Sequence, residues 1–298
     1  EVLTSFKDHK GNHPVITANT IMANPDFEKI RKSDFKEYHY ELFTDTLQRY
    51  PQHQRSFHLW KEGIEHYIFH PQYHGREHVN IFRWLSEVQH IYSNARIGFD
   101  HHLFGLREEG IDMRHSFMRA LDFENNEQLV TLKNNLLEGL QLFKNTFGYH
   151  SQSFIAPSYV WNEEIEEVLY NEGVCYLQGI AYQYIPKVGK EKLTKKWHYT
   201  GQKNDHGQLY LVRNAFFEPS LTKKKTIEET LRRIEIAFRW KKPIIIGTHR
   251  LNFIGHINPQ NRDENLKLFK SLLQTILKRW PDVEFMTTDQ LGEFIKTN

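Results

Sequence analysis

The sequence predicts an α/β fold with parallel strands, and three observations carry that prediction. Apolar, β-rich runs alternate with helix-period segments along all 298 residues. The helical segments are about 10–20 residues long, the length needed to carry the chain back for a parallel strand. No internal repeat and no linker divides the chain, so residues 1–298 read as one domain, with strands either open or closed into a deformed (β/α) barrel.

The elements follow in order. Residues 14–20 (PVITANT) read as a buried strand. Residues 56–66 carry Phe57, Trp60 and Ile64 at helical spacing, and 67–69 follow as a short strand. From Glu77 to about Tyr92 the apolar residues Val79, Phe82, Leu85 and Val88 recur every three positions, a helical pattern. Residues 97–122 show no period and read as an irregular excursion capping the mouth. Residues 125–147 form the longest expected helix, with Leu129, Leu132, Leu136, Leu140 and Phe143 on one core-facing stripe and Gly148 as its C-cap.

Strand and helix then alternate: strand 153–156, helix 162–171 stopped by Gly173, strands 174–177 and 208–212, and helix 226–240. Strand 243–246, helix 261–279, strand 283–286 and helix 288–295 complete the chain. Thr226 and Glu229 have capping-box spacing.

Composition excludes several classes. Against 37 Asp+Glu stand 39 Lys+Arg, a formal charge of +2 that leaves no global nucleic-acid footprint. The lysines at 190–196 and 223–225 read as solvated loops. A single cysteine, Cys175, rules out an internal disulfide and a thiolate metal cage; in its apolar run it reads as buried and inert. No apolar stretch approaches the ~18 residues of a membrane span. Residues 1–6 read like the tail of a helix, the expectation being that the chain begins inside its fold.

Four expected strand ends bear useful polar groups. The first is His74-Gly75-Arg76-Glu77-His78. Two histidines four apart on one helical face stand about 5–6 Å apart at Cβ, close enough to share a metal at about 2.0–2.1 Å. Pro71 and Gly75 place them where a strand passes into a helix, the end of an α/β sheet where functional groups collect. With 18 histidines in the chain, a solvated pair is the competing reading. The second is the run 156–162, in which Tyr159 and Trp161 suit sugar faces and Asn162 is either a polar contact or a helix N-cap. The third is Arg213-Asn214, where Arg213 either clamps an anionic or polyhydroxyl substrate or pairs with Glu218. The fourth is His249-Arg250-Leu251-Asn252, a histidine at a strand exit being placed for acid–base work.

With these residues in this order, the chain resembles the polysaccharide deacetylase family of carbohydrate esterases over residues 14–295. The resemblance implies a deformed (β/α) barrel and a divalent metal, zinc first, held by His74 and His78. It also implies a proline–aromatic loop at 154–159 and His249 as proton donor to the leaving group. Tyr159, Trp161, Asn162, Arg213, Asn214, Arg250 and Asn252 would then contact a bacterial-type polysaccharide or glycoconjugate that loses acyl groups, with no nucleic acid or membrane span involved. Two departures stand out. The family's Asp-Asp pair on its first strand has no match before Pro14, where only Asp8 occurs, so that strand is either left out or replaced. Asp100 is the nearest substitute as metal ligand and general base. Ile155 stands where many members have arginine.

Three rival readings remain. H-x-x-E-H is also the inverted zincin signature, with Glu77 as base of a metalloprotease. A carbohydrate-binding relative without catalysis would explain the lacking Asp-Asp pair. A glycoside hydrolase would need two opposed carboxylates, of which Glu218 is the only strand-end candidate.

Overall fold

Strands rich in Ile, Leu, Val and Tyr form wherever both faces can be buried, and the helices between them carry one apolar stripe each. The computed structural model describes residues 1–106, 116–190, 192–222 and 225–297. In chain order its elements are β1 (Ile16–Ile21), β2 (Ala23–Pro25), α1 (Phe27–Lys32), β3 (Tyr40–Leu42), α2 (Phe43–Arg49), α3 (Ser56–Glu65), β4 (Phe69–Gly75) and α4 (Ile81–Val88). There follow α5 (Asn94–Asp100), α6 (Asn126–Phe147), β5 (Ser153–Ile155), α7 (Glu163–Asn171), β6 (Tyr176–Gly179), β7 (Tyr182–Ile185), β8 (Thr194–Trp197) and β9 (Leu209–Val212). The last are β10 (Ala215–Phe216), α8 (Pro219–Thr222), α9 (Lys225–Arg239), β11 (Ile246–Gly247), α10 (Pro259–Arg279) and α11 (Thr288–Thr297).

The architecture is α/β. Five strands in the order β1-β4-β5-β6-β9 form a central sheet, parallel throughout. β10 and β11 make a separate parallel pair, joined to the sheet's end where Arg213 N donates to Gly179 O at 2.8 Å. The β4–β5 ladder has one register pair, Tyr73↔Phe154. A buried polar cluster supplements it. Gln72 Oε1 accepts from Ser151 Oγ, Gln152 N and Ser153 N at 2.8–2.9 Å, and Tyr73 N donates to Ser151 Oγ at 2.8 Å. Every donor is therefore satisfied where the ladder is short.

Helix α6 behaves as its sequence demands. Asn125 accepts from Gln128 N, and Gly148 ends the helix at φ +81°, where a side chain would be strained. All five stripe residues are buried against Tyr73, Phe154 and their neighbours, each worth about 1.5–3 kcal/mol relative to exposure. Gly139 is required there: a Cβ would collide with the Tyr73 hydroxyl.

Several expectations are corrected. The strand expected at 67–69 begins at Phe69 and runs on to Gly75, so His74 belongs to β4. The helix expected from 77 starts at Ile81 because Asn80 caps it, accepting from Arg83 N. Within 97–122, α5 is helical; part of that segment, 107–115, lies outside the described residues. Residues 283–286 form no strand, and 243–246 contributes only Ile246 to β11. Thr226 lies inside α9 instead of capping it, its hydroxyl accepting from Glu218 N at 3.1 Å. Cys175 is exposed. The short antiparallel pairs β2–β3 and β7–β8 were not anticipated. Among the described residues no helix is long and apolar enough to cross a membrane.

Among the described residues the outer edge of β1 carries no partner strand. The strand lines a cavity of about 2060 Å³ whose walls also include both ends of β4, Arg213 just past β9, Phe217 just past β10, Ile246 of β11, and residues 279–288.

Candidate functional site

The upper part of this cavity collects most of the chemistry. On β4, successive side chains alternate. Tyr73 enters the core, and His74 faces the cavity. Gly75 then takes φ +125°, a conformation few residues with a side chain adopt, and the chain bends so that His78 returns beside His74. The two rings stand 5.1 Å apart between centroids, inclined at 76°. The sequence argument reached this proximity through a helical face. The fold reaches it through a strand end and a bend.

Each imidazole is held neutral. His74 Nδ1 shares a hydrogen with Ile155 O at 2.6 Å, which assigns Nδ1 as the donor and leaves Nε2 as a lone pair. Burial pushes the His74 pKa down to about 3, with His78 and the positive charges of Arg213 and His249 acting in the same direction. Burial also lowers His78, reinforced by Arg250 and His249. His78 Nδ1 is buried and has no hydrogen-bond partner outside its own residue. An orphaned ring nitrogen beside a second neutral imidazole is the arrangement a cation would satisfy. Among the described residues, however, no group of three or more His, Cys, Asp or Glu is placed to hold a metal.

The second element of the site is His249, just past β11. Its Nδ1 donates to Glu218 Oε1 at 2.7 Å, a contact between residues 31 apart in sequence. The carboxylate is itself fixed: Asn252 Nδ2 donates to Glu218 Oε2 at 2.8 Å. Asn252 is fully buried and also reaches His249 O at 2.9 Å. Hydrogen bonding to Glu218 raises the His249 pKa against the opposing effect of burial. Burial would raise Glu218, but the hydrogen bonds from His249 and Asn252 outweigh it and hold the carboxyl below its ordinary value. The result is an oriented imidazole that holds its proton more tightly than a free one, with Nε2 not engaged by Glu218.

The remaining expected site residues divide. Tyr159, Arg213 and Arg250 line the cavity with His74, His78 and His249. Trp161 is buried and donates Nε1–H to Glu166 Oε1 at 2.8 Å, so it is a core residue. Asn162 is the N-cap of α7, accepting from Ile165 N. Asn214 ties β10 to the approach of β11: its Nδ2 donates to Pro243 O and its Oδ1 accepts from Ile245 N. Asn252 supports Glu218 and does not reach the cavity. Asp100 is not brought to the histidines. It lies at the end of α5, bonded by Arg31 at 2.6 Å and with Arg96 at 3.8 Å.

Glu77 is unsuited to the zincin role, since Arg76 holds both its oxygens at 2.5 and 3.0 Å inside the protein. Sequence reasoning missed Glu218 as the partner of His249; the only signal was an acid close to a strand end. It also missed Tyr182 and Tyr184, which line the same cavity and whose alternation on a short run was a readable strand signal. No family model matches the chain, and no curated protein matches it.

Proposed function

We propose that this protein is a metal-dependent hydrolase removing acetyl or other acyl groups from a polysaccharide or glycoconjugate. The observation that carries the reading is the His74–His78 pair, with the buried Nδ1 of His78, in one cavity with His249, which Glu218 orients. The donors fit a borderline-soft divalent ion, zinc first, which His74 and His78 would hold. When bound, such an ion supplies an activated water and polarises an acyl carbonyl.

The chain's own residues do the rest. Ile155 O fixes the His74 tautomer, so that Nε2 would be the atom available to a metal. Glu218 orients His249 and favours its protonated form, so that Nε2 would deliver a proton to the departing oxygen or nitrogen. Arg213 and Arg250 give the cavity a positive field that favours charge developing on the acyl oxygen. On this reading the central sheet and the β10–β11 pair belong to one deformed (β/α) barrel of the polysaccharide deacetylase type.

A second reading, a carbohydrate-binding protein without hydrolysis, is favoured by one observation: the described residues supply two metal donors and no carboxylate beside them.

The test combines equilibrium dialysis against Zn²⁺ with acetate release from acetylated glycans. Stoichiometric zinc, lost in the His74→Ala/His78→Ala double variant, with acetate release abolished by His249→Ala, is the expected outcome. Zinc bound without acetate release favours the binding protein. No zinc uptake sinks the hydrolase.

A further inference from the structure

The hairpin β7–β8 is short, yet its two faces differ sharply. Its inner face is pinned to the core: Gln183 is buried and donates to Trp161 O at 2.9 Å, while its Oε1 pairs with His198 Nε2 at 2.8 Å. Ile185 is buried on the same side. Trp161 N donates to Tyr184 O at 3.1 Å, docking the hairpin onto the loop that carries Tyr159. Strand alternation then drives Tyr182 and Tyr184 to the other face, and register brings Trp197 opposite Tyr182.

That outer face is aromatic and open. Tyr182 and Tyr184 rings lie 5.4 Å apart at 83°, Tyr182 and Trp197 5.5 Å apart at 74°, and Trp197 is 69% exposed. Burying a tryptophan is favourable, so leaving one in water on a rigid two-stranded support marks a surface meant to be covered. It is continuous with the candidate site, because Tyr159, Tyr182 and Tyr184 line the same cavity as His74, His78 and His249.

The charge of the hairpin narrows the occupant. Residues 182–199 contain five lysines and one glutamate. Lys195 Nζ sits 5.2 Å and 5.4 Å from the centroids of Tyr182 and Tyr184. The positive character continues inward to Arg213 and Arg250. Flat rings set at right angles offer C–H-stacking faces to pyranose units, and the Lys195 ammonium beside them offers a partner to a carboxylate.

We propose that the Tyr182–Tyr184–Trp197 face is a subsite for a uronate-bearing sugar unit, and hence that the substrate is an anionic glycan whose chain runs from the hairpin into the histidine centre. This rests on the hydrolase reading for the direction of the chain, but the subsite itself does not need catalysis. Tyr182 and Trp197 stack on the sugar ring, and Lys195 moves from the aromatic faces to the carboxylate. The inner-face hydrogen bonds hold the platform in place before binding, so little ordering cost is added.

The full chain is titrated calorimetrically with a galacturonate hexamer and with a glucose hexamer of equal length. The galacturonate oligomer is expected to bind at least tenfold more tightly. Trp197→Ala weakens it tenfold or more, and Lys195→Ala erases most of the preference over the neutral oligomer. Both side chains are exposed, and an unchanged thermal melt verifies that the variants fold. Hydrolysis is followed separately with 4-nitrophenyl acetate, which is too short to reach the hairpin and should be indifferent to Trp197→Ala. Hairpin-dependent binding without ester hydrolysis leaves the subsite standing and removes the hydrolase. Equal affinity for both oligomers, or binding untouched by Trp197→Ala, overturns the subsite.

Discussion

Two histidine groups share one cavity, and their pKa values are moved in opposite directions. His74 and His78 sit at and just past the end of β4 with positive neighbours, and burial favours their neutral forms. His249 sits past β11 against a fixed carboxylate, which favours its protonated form. The same side chain is thus made a candidate ligand in one place and a candidate acid in another, by environment alone. The difference lies in the partner each Nδ1 was assigned: a main-chain carbonyl that prefers a neutral ring, or a carboxylate that prefers a charged one.

The largest effect expected from this contrast is on acid stability. His74 titrates near 3 in the folded chain and near 6.5 unfolded. The unfolded state therefore binds more protons between these values, and stability falls as pH drops through that window, by up to about 1.4 kcal/mol per unit. His74 is only partly buried where it faces the cavity, and solvent screening moderates this to about 2–3 kcal/mol between pH 6.5 and about 4. Urea midpoints followed over that range should show the slope in the wild type and a shallower one in His74→Gln. Equal slopes would refute the neutral, buried assignment.

A smaller effect of opposite sign belongs to the dyad. His249 is raised and Glu218 lowered, so their mutual stabilisation is present between the two folded pKa values. It is lost as pH rises through that of His249 and as pH falls through that of Glu218. Glu218→Gln should return the His249 imidazole toward its ordinary pKa, seen by NMR titration of its ring protons, and move the alkaline limb of any rate profile to lower pH. Its stability cost should stay below about 1 kcal/mol, because the imidazole is largely exposed. An unmoved His249 titration would break the contrast.

The smallest change sharpens it. Asp100→Asn should cost less than about 1 kcal/mol, since its pair with Arg31 is half in water. It should leave the His74 acid slope and zinc uptake unchanged. A loss of zinc would place Asp100 at the histidines after all.

The legibility of the site follows the same division. His74, His78 and His249 stood out because histidines beside strand-end signals are readable in a few residues. Arg213, Arg250 and Tyr159, which also follow strand-end signals, line the cavity with them. Trp161 is a core residue instead of a sugar contact, and of the two readings of Asn162 the helix cap is the one the structure shows. A loop tryptophan looks available until Glu166 and the hairpin close over it, and Asn162 does the capping work its neighbours Glu163 and Glu164 already suggested. The pair β2–β3 was unreadable because strands of three residues carry too little alternation, and β7–β8 offered only the brief alternation of Tyr182 and Tyr184.

By itself, the sequence determined the alternation of strand and helix, the apolar stripe and caps of α6, and the residue types available for chemistry. These depend on periodicity and on hydrogen bonds within a few positions. Tertiary structure alone decided that His249 meets Glu218, that Asp100 stays with Arg31, and that Trp161 is core. It also left β1 lining a cavity, with no partner strand on its outer edge among the described residues. Those outcomes depend on burial and on contacts between residues tens to hundreds of positions apart, and protonation state follows from both.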